Sequence, residues 1–147
     1  MTITDVEGFL ASGVASGIKN NKELDLALVT TEDQQPVPAA AVFTSNKMTA
    51  APVLVSRKHL EVTGGTASTV VLNSGNANAA TGEQGLLDAE RMCQLTAQGL
   101  GCESSEVLVC STGWIGYPLP MEEVTYGIKS AIDSLKDDQG TTAAKAI

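Results

Sequence analysis

The chain has 147 residues, of which 43% are hydrophobic and 18% charged, and this composition is typical of a globular domain rather than a disordered segment. The net charge of −8 argues against partners such as nucleic acid or an anionic membrane surface, because both require a basic protein surface. No apolar run is long enough to cross a bilayer, and no secretory signal pattern is found. We therefore expect a single cytoplasmic domain over residues 1–147.

The first half of the chain is predicted to be rich in strands. Leu24, Leu26 and Leu28 alternate with smaller or polar residues, which is typical of a strand. The elements expected in order are a loose lead-in at 1–7, an extended segment at 8–19, a turn at 20–22, a strand at 24–31, a second strand at 39–44 that pairs antiparallel with it, an extended segment at 50–56, a basic turn at 57–59 and a loop at 63–66.

The second half alternates strands with helices. A strand at 68–72 leads into a loop at 73–79 with three asparagines, and a strand at 105–110 follows the first helix. That helix is predicted to begin with a capping box formed by Thr81 and Gln84 and to end near Leu100, at Gly99 or Gly101. A second helix begins around Pro120, and a third begins at 141–147. The apolar stripes expected to face the core are Leu86, Ala89, Met92 and Cys93 on the first helix, and Met121, Val124, Ile128, Ile132 and Leu135 on the second.

This order of elements predicts the α+β class, with helices covering one face of a sheet. The three cysteines, Cys93, Cys102 and Cys110, have no metal-site spacing, so we expect reduced, buried thiols. A nucleophilic thiol at Cys110 is the alternative. The one histidine, His59, is placed by no motif, and we expect it to pack in the core.

The sequence Ser111-Thr112-Gly113 ends the strand at 105–110 abruptly. Small residues there permit a ligand to approach the backbone, and a turn of this kind can aim N–H groups and a hydroxyl at an anion or a developing oxyanion. An ordinary strand-to-loop turn is the competing interpretation. The asparagine loop has the same two readings, a self-bonded loop, which we favour, or the polar wall of a site.

Several blocks, taken in order, resemble one family, the glutamate N-acetyltransferase/ornithine acetyltransferase (ArgJ) family. The blocks that carry the resemblance are GFLASGVASGIK at 8–19, AVFTSN at 41–46 with AAPV at 50–53, VLNSGNANA at 71–79 with the Thr-Gly and Gln-Gly steps after it, and CSTGWIG at 110–116 with LPM at 119–121. The match covers nearly the whole chain.

The resemblance implies a layered sheet-and-helix domain of the DmpA/ArgJ-like type. Members are made as a precursor that cuts itself into α and β chains, and the new N-terminal threonine of the β chain is the nucleophile. It takes an acetyl group from N-acetylornithine and gives it to glutamate; some members also use acetyl-CoA. No cofactor or metal is implied. The particle is usually a cytoplasmic heterotetramer of two α and two β chains.

The family's oxyanion hole corresponds to Thr112 and Gly113 in this sequence. In the family, the position that corresponds to Ile147 leads into a Met-Thr-Thr-Asp strand, then a substrate-binding lysine and later the cleavage site. The chain is therefore expected to be most of an α chain, without the nucleophile. Trp114 stands where smaller apolar residues are common. Two other readings stay open: part of a self-processing aminopeptidase-like hydrolase, and an inactive truncated fragment.

Overall fold

The structure, a computed structural model, describes residues 1–19 and 22–147, so the predicted turn at 20–22 lies outside the described residues except for Lys22. The strands are Phe9–Val14 (β1), Leu26–Thr31 (β2), Val37–Pro38 (β3), Thr66–Ala67 (β4), Thr69–Asn76 (β5) and Val107–Trp114 (β6). The helices are Ala51–Val62 (α1), Gly82–Leu100 (α2), Met121–Asp133 (α3) and Gly140–Lys145 (α4).

Four strands form the main sheet in the order β1-β2-β5-β6. The first two pairings are antiparallel, whereas β5 and β6 are parallel and are connected through α2. The short strands β3 and β4 pair with each other. The predicted α+β class is therefore confirmed.

Helices α1, α2 and α3 cover one face of the sheet, and the main core lies between them and the strands. Alternate residues of each strand point into this core, as the period of two along a strand requires. The strand residues buried there are Leu26 and Leu28 of β2, Val71 of β5, and Val107 and Val109 of β6.

On the opposite face the short helix α4 lies over β1 and β2. Its contact is built from alanines, Ala11 and Ala27 on the strands and Ala143 and Ala146 at the helix. A Cβ at Gly13 would collide with the backbone of Thr142. Small side chains therefore bring the helix backbone directly onto the sheet.

The outer edge of β6 is covered by α1 through two side chains. The Ser56 hydroxyl donates to the Val109 carbonyl at 2.8 Å and accepts from the Val109 N–H at 2.9 Å. The His59 Nδ1 lies 2.8 Å from the Val107 carbonyl oxygen, so this nitrogen carries the proton. These bonds replace those that a further strand would make.

A carboxylate fixes the segment that follows β1. Asp25 is completely buried, and its two oxygens accept hydrogen bonds from the Ser16 N–H at 2.6 Å, the Ser16 hydroxyl at 2.7 Å, the Gly17 N–H at 3.1 Å and the Lys19 N–H at 2.9 Å. A buried charge is tolerated where it is saturated with donors in this way.

Three predictions for the first half were wrong. Residues 39–44 form no strand, because the places beside β2 are taken by β1 and β5. The extended segment at 50–56 and the turn at 57–59 are parts of helix α1, which has Pro52 in its first turn. Its buried residues Ala51, Val55 and His59 are four positions apart, as one face of a helix requires. Burial of this face outweighs the strand propensity of the valines in the segment. The lead-in contains a short 3₁₀ turn at Ile3–Asp5.

The second half agrees more closely with the sequence. Helix α2 ends at Leu100, before Gly101 in the left-handed conformation, and α3 and α4 begin where predicted. The capping box at Thr81 was wrong, because its hydroxyl donates to the Asn78 side chain at 2.8 Å and makes no cap bond. The predicted strand at 68–72 continues to Asn76. The strand predicted to end at Cys110 was also too short, because Ser111, Thr112 and Gly113 pair with β5 and the strand continues to Trp114. The predicted core residue Leu86 is exposed.

Replacing Ser56 by alanine should destabilise the protein, because the edge N–H and C=O of Val109 would lose their buried partner. We expect the free energy of unfolding to fall by about 2–3 kcal/mol. Chemical denaturation measures this, with Ser45→Ala on an exposed loop as the control. Equal stability of the two variants would contradict the edge-covering role of Ser56.

Asp25→Asn should also be destabilising, because the amide nitrogen cannot accept the hydrogen bonds that the carboxylate oxygen accepts. The expected loss is about 2–4 kcal/mol, measured by thermal and chemical denaturation against exposed Asp133→Asn. A loss of stability no larger than that of the control would show that the four-donor arrangement is unimportant.

Candidate oxyanion site

The Ser111-Thr112-Gly113 step lies at the carboxyl end of the parallel strand pair. In register, Thr112 faces Ser74 and Gly113 faces Gly75 of β5. Both Thr112 and Gly113 are exposed, and the Thr112 hydroxyl has no hydrogen-bond partner among the residues described. We call Thr112 and Gly113 with their strand partner Gly75 the β6 corner.

An irregularity in the pairing shapes this corner. Asn76 is opposite both Thr112 and Trp114, so the strands change register there. Gly113 has φ +135°, and a Cβ on it would lie 2.6 Å from both the Asn76 nitrogen and the Gly75 oxygen. Only glycine fits this position.

The pairing of β6 decides where the Gly113 N–H points. Along a strand, alternate residues direct both N–H and C=O to the same side. The backbone groups of Val107 and Val109 point to the outer edge, where α1 binds them. Because the strand is paired regularly up to Thr112, the Gly113 N–H is directed to the same outer edge, beyond the last residue that α1 bonds.

The self-bonded interpretation of the asparagine segment beside the corner holds only in part, because Asn73 and Asn78 make bonds within the segment, whereas the side chains of Asn76 and Asn78 also bond residues outside it. Asn78 is completely buried; its N–H donates to the Asn76 side chain at 2.8 Å, and its amide nitrogen donates to the Gly85 carbonyl at 2.8 Å. Two buried oxygens, Asn73 Oδ1 and Ser111 Oγ, have no partner among the described residues. They occupy paired positions on β5 and β6, one step before the corner.

The three cysteines are free thiols, as expected, but the expectation that all three are buried was wrong. Cys93 is buried, Cys102 is half-buried and Cys110 is exposed. Burial, with a smaller effect from Glu90, raises the pKa of Cys93 to about 12, and desolvation also raises the pKa of Cys110. A raised pKa disfavours the thiolate at neutral pH, which argues against the nucleophilic alternative for Cys110.

His59 is a buried structural residue, as expected. Its Nδ1 is bonded to a backbone carbonyl of β6. The period of two along β6 places Cys110 on the sheet face opposite to Val109, whereas His59 belongs to the layer on the Val109 side. The two residues therefore do not form a nucleophile–base pair.

Two grooves differ in size and in their relation to the corner. An open groove of about 540 Å³ is bounded by residues 46–49, by residues 79–82 and by Ile115, which follows Gly113 by two residues, and its lining includes no residue of the corner itself. A larger groove of about 860 Å³ lies between α2 and α3 and includes no corner residue. Of the two grooves, the smaller one includes a residue of the segment that directly follows the corner.

Large apolar side chains next to the corner face solvent. Trp114 is 70% exposed and Ile115 is 65% exposed. The rings of Trp114 and Tyr117 meet edge-to-face with centroids 5.7 Å apart. Exposed apolar residues in contact with one another are typical of a surface that another chain covers.

Sequence reasoning missed the roles of Ser56, which bonds the backbone of β6 before the corner, and of Asp25, which bonds the backbone after β1. Ser56 gave no signal, because its segment was predicted to be extended. Asp25 did give one, since a carboxylate between Leu24 and Leu26 of a buried strand requires partners. The described residues contain no cluster of three or more metal-ligating side chains, and none of their helices has the length and apolar character of a membrane span.

Comparison with known proteins identifies relatives. The ArgJ family model matches residues 10–147. The arginine biosynthesis bifunctional protein ArgJ of Caldanaerobacter subterraneus subsp. tengcongensis is 49% identical over 96% of this chain and 34% of its own length. The protein of that name from Streptomyces avermitilis is 46% identical over 100% of this chain and 38% of its own length.

Solved structures agree with these relatives. Ornithine acetyltransferase of Mycobacterium tuberculosis, crystallised with ornithine, superposes with a TM-score of 0.92 at 42% identity, over 99% of this chain and 78% of that one. Arginine biosynthesis bifunctional protein ArgJ of Bacillus halodurans superposes with a TM-score of 0.90 at 35% identity, over 100% of this chain and 75% of that one. The chain spans about a third of the length of the curated relatives. With the family model matched from residue 10 to residue 147, the chain belongs to the ArgJ family.

Proposed function

We propose that this chain is the α-chain part of an acetyltransferase of arginine biosynthesis. The enzyme moves an acetyl group from N-acetylornithine to glutamate through an acetyl-threonine intermediate, and acetyl-CoA is a second donor. The nucleophilic threonine belongs to a β chain cut from the same precursor. Membership of the ArgJ family and the names of its relatives, an arginine biosynthesis bifunctional protein and an ornithine acetyltransferase, support this proposal.

The observation that carries the proposal is the open corner at Thr112 and Gly113. Each acyl transfer passes through a tetrahedral intermediate with a negatively charged oxygen. The Thr112 hydroxyl and the outward Gly113 N–H are the donors we assign to that oxygen. An N-terminal threonine uses its own amine as the base, so the reaction needs no histidine.

The β chain is the partner that we assign to the surface beside the corner. Trp114, Ile115 and Tyr117 are exposed there, and an apolar surface of this kind is stabilised by contact with another chain. We expect a cytoplasmic particle of two α and two β chains that forms by self-cleavage of the precursor.

The proposal is tested with the full-length precursor of which this chain is part. Acetyl transfer from N-acetylornithine to glutamate, together with an acetylated threonine trapped on the β chain, is the expected result. Release of amino acids from small peptides without acetyl exchange would instead favour the aminopeptidase-like alternative. Neither activity, from a correctly cleaved enzyme, would indicate an inactive member.

Thr112→Ala should lower turnover by about 10- to 1,000-fold, because one oxyanion donor is removed. Thr112→Ser keeps the hydroxyl and should retain most of the activity. Exposed Thr141→Ala on α4 is the matched control. Unchanged turnover in Thr112→Ala, measured with saturating substrates, would remove Thr112 from the mechanism.

Gly113→Ala tests the shape of the corner separately from its hydroxyl. Gly116 also has positive φ, +83°, but has no atom within 4 Å of an added Cβ, so Gly116→Ala carries backbone strain alone. That strain is about 1–2 kcal/mol in either variant. We expect Gly113→Ala to lose more stability and far more turnover than Gly116→Ala; equal effects on both would show that close packing against Gly75 is unimportant.

A further inference from the structure

Ser74 and Thr112 are neighbours on the sheet face that α4 covers. They are register partners on β5 and β6, and the pairing is regular at this point. Ala27, which packs under α4, is in register with Leu72, so the period of two along β5 directs the side chain of Ser74 to the α4 side. The side chain of Thr112 points to the same side. Since neighbouring strands are about 4.8 Å apart, the two hydroxyls lie about one strand spacing from each other.

The Ser74 hydroxyl holds the end of helix α4. It donates to the carbonyl oxygen of Ala146 at 2.5 Å, and both residues are buried. The Ser74 N–H donates to the Asp25 carbonyl at 2.8 Å, so the backbone that carries this hydroxyl is itself fixed to the start of β2. Ala146 is therefore seated beside Thr112, on the side of β5.

The other attachments of α4 lie away from the corner. Its apolar contact is with alanines of β1 and β2. At its first residue, the Gly140 N–H donates to the Thr4 hydroxyl at 3.2 Å. In the described part of the chain, the bond from Ser74 is the one that ties the end of α4 to β5, and it thus decides how closely Ala146 approaches Thr112.

A wall on this side of Thr112 matters for acetyl transfer. An acetyl-threonine whose oxygen is bound at Thr112 and Gly113 can be attacked by the acceptor amine or by water. Attack by water forms a bond from its oxygen to the acetyl carbon and breaks the bond to the threonine oxygen, which takes the proton, so that acetate and free threonine result. An enzyme that transfers the acetyl group has to exclude water from this intermediate. Ala146 occupies the β5 side of Thr112 and leaves the outer edge of β6 for the acceptor.

We propose that Ser74 is a positioning residue of the acetyl transfer. Through the carbonyl of Ala146 it holds the end of α4 against the β5 side of Thr112, and so excludes water from that side of the acetyl-enzyme. This inference rests on the proposed function above. Ser74 itself contacts no reacting atom in this arrangement.

The test uses the full-length, self-processed enzyme with N-acetylornithine and glutamate as substrates. N-Acetylglutamate reports transfer and acetate reports hydrolysis, and their ratio does not depend on the fraction of enzyme that is folded. Ser74→Ala removes the bond to Ala146, and Ser74→Cys keeps a weak donor of similar shape. Thr4→Val removes the bond at the other end of α4 and is the matched control. Self-cleavage and Tm report folding.

We expect Ser74→Ala to raise the ratio of acetate to N-acetylglutamate by about 3- to 10-fold, the factor to which the loss of one hydrogen bond corresponds. Ser74→Cys should give a smaller rise, because a thiol is the weaker donor. Thr4→Val should lower the Tm and leave the ratio unchanged, because the bond that it removes lies at the far end of the helix. If Ser74→Ala fails to self-cleave, the ratio measured in Ser74→Cys decides.

An unchanged ratio in Ser74→Ala, or in Ser74→Cys where only that variant is processed, would overturn the inference. An equal rise in Thr4→Val would overturn it as well, because any loosening of α4 would then admit water. Absence of acetyl transfer by the unsubstituted enzyme would overturn the proposed function and this inference with it, whereas transfer with an unchanged ratio would overturn the inference alone.

Discussion

Strand β6 is the last strand of the sheet, and half of its backbone groups have no neighbouring strand to bond. Helix α1 supplies the missing partners through Ser56 and His59, which satisfy the outer groups of Val109 and Val107. This cover ends before Gly113. The same strand is therefore fixed along its first part and has an outward N–H at its end, which is the combination that a preorganised hydrogen-bond donor requires.

The two faces of the sheet are built differently, and the difference bears on the corner. Three helices and a deep apolar core hold the β6 strand from one side. From the other, the short helix α4 contacts the sheet, on alanines at β1 and β2. Because β1 and β5 run in the same direction, the segment after β1 reaches the carboxyl end of β5, where Asp25 holds it against Gly75. Small residues and a buried carboxylate thus converge at one end of the sheet.

Together these features describe a chain that presents hydrogen-bond donors but, on our proposal, leaves the nucleophile to another chain. The thiol of Cys110 is disfavoured as a thiolate, and His59 is committed to a backbone carbonyl. The hydroxyl of Thr112 and the Gly113 N–H are hydrogen-bond donors, and on our proposal they stabilise negative charge rather than attack a carbonyl.

The sequence by itself determined the α+β class, the presence of a strand at 107–110, the helix that ends at Leu100 and the family to which the chain belongs, because each rests on a local pattern or on ordered motifs. It did not show that this strand continues to Trp114, which depends on pairing with β5. It also indicated Thr112 and Gly113 as site candidates, a prediction that activity measurements must test. Tertiary structure decided that 51–62 is a helix, since the burial of Val55 and His59 against β6 outweighs local strand propensity. It also decided that Ala146 adjoins the corner, because contacts between residues far apart in the chain depend on strand order and direction, which no local pattern encodes.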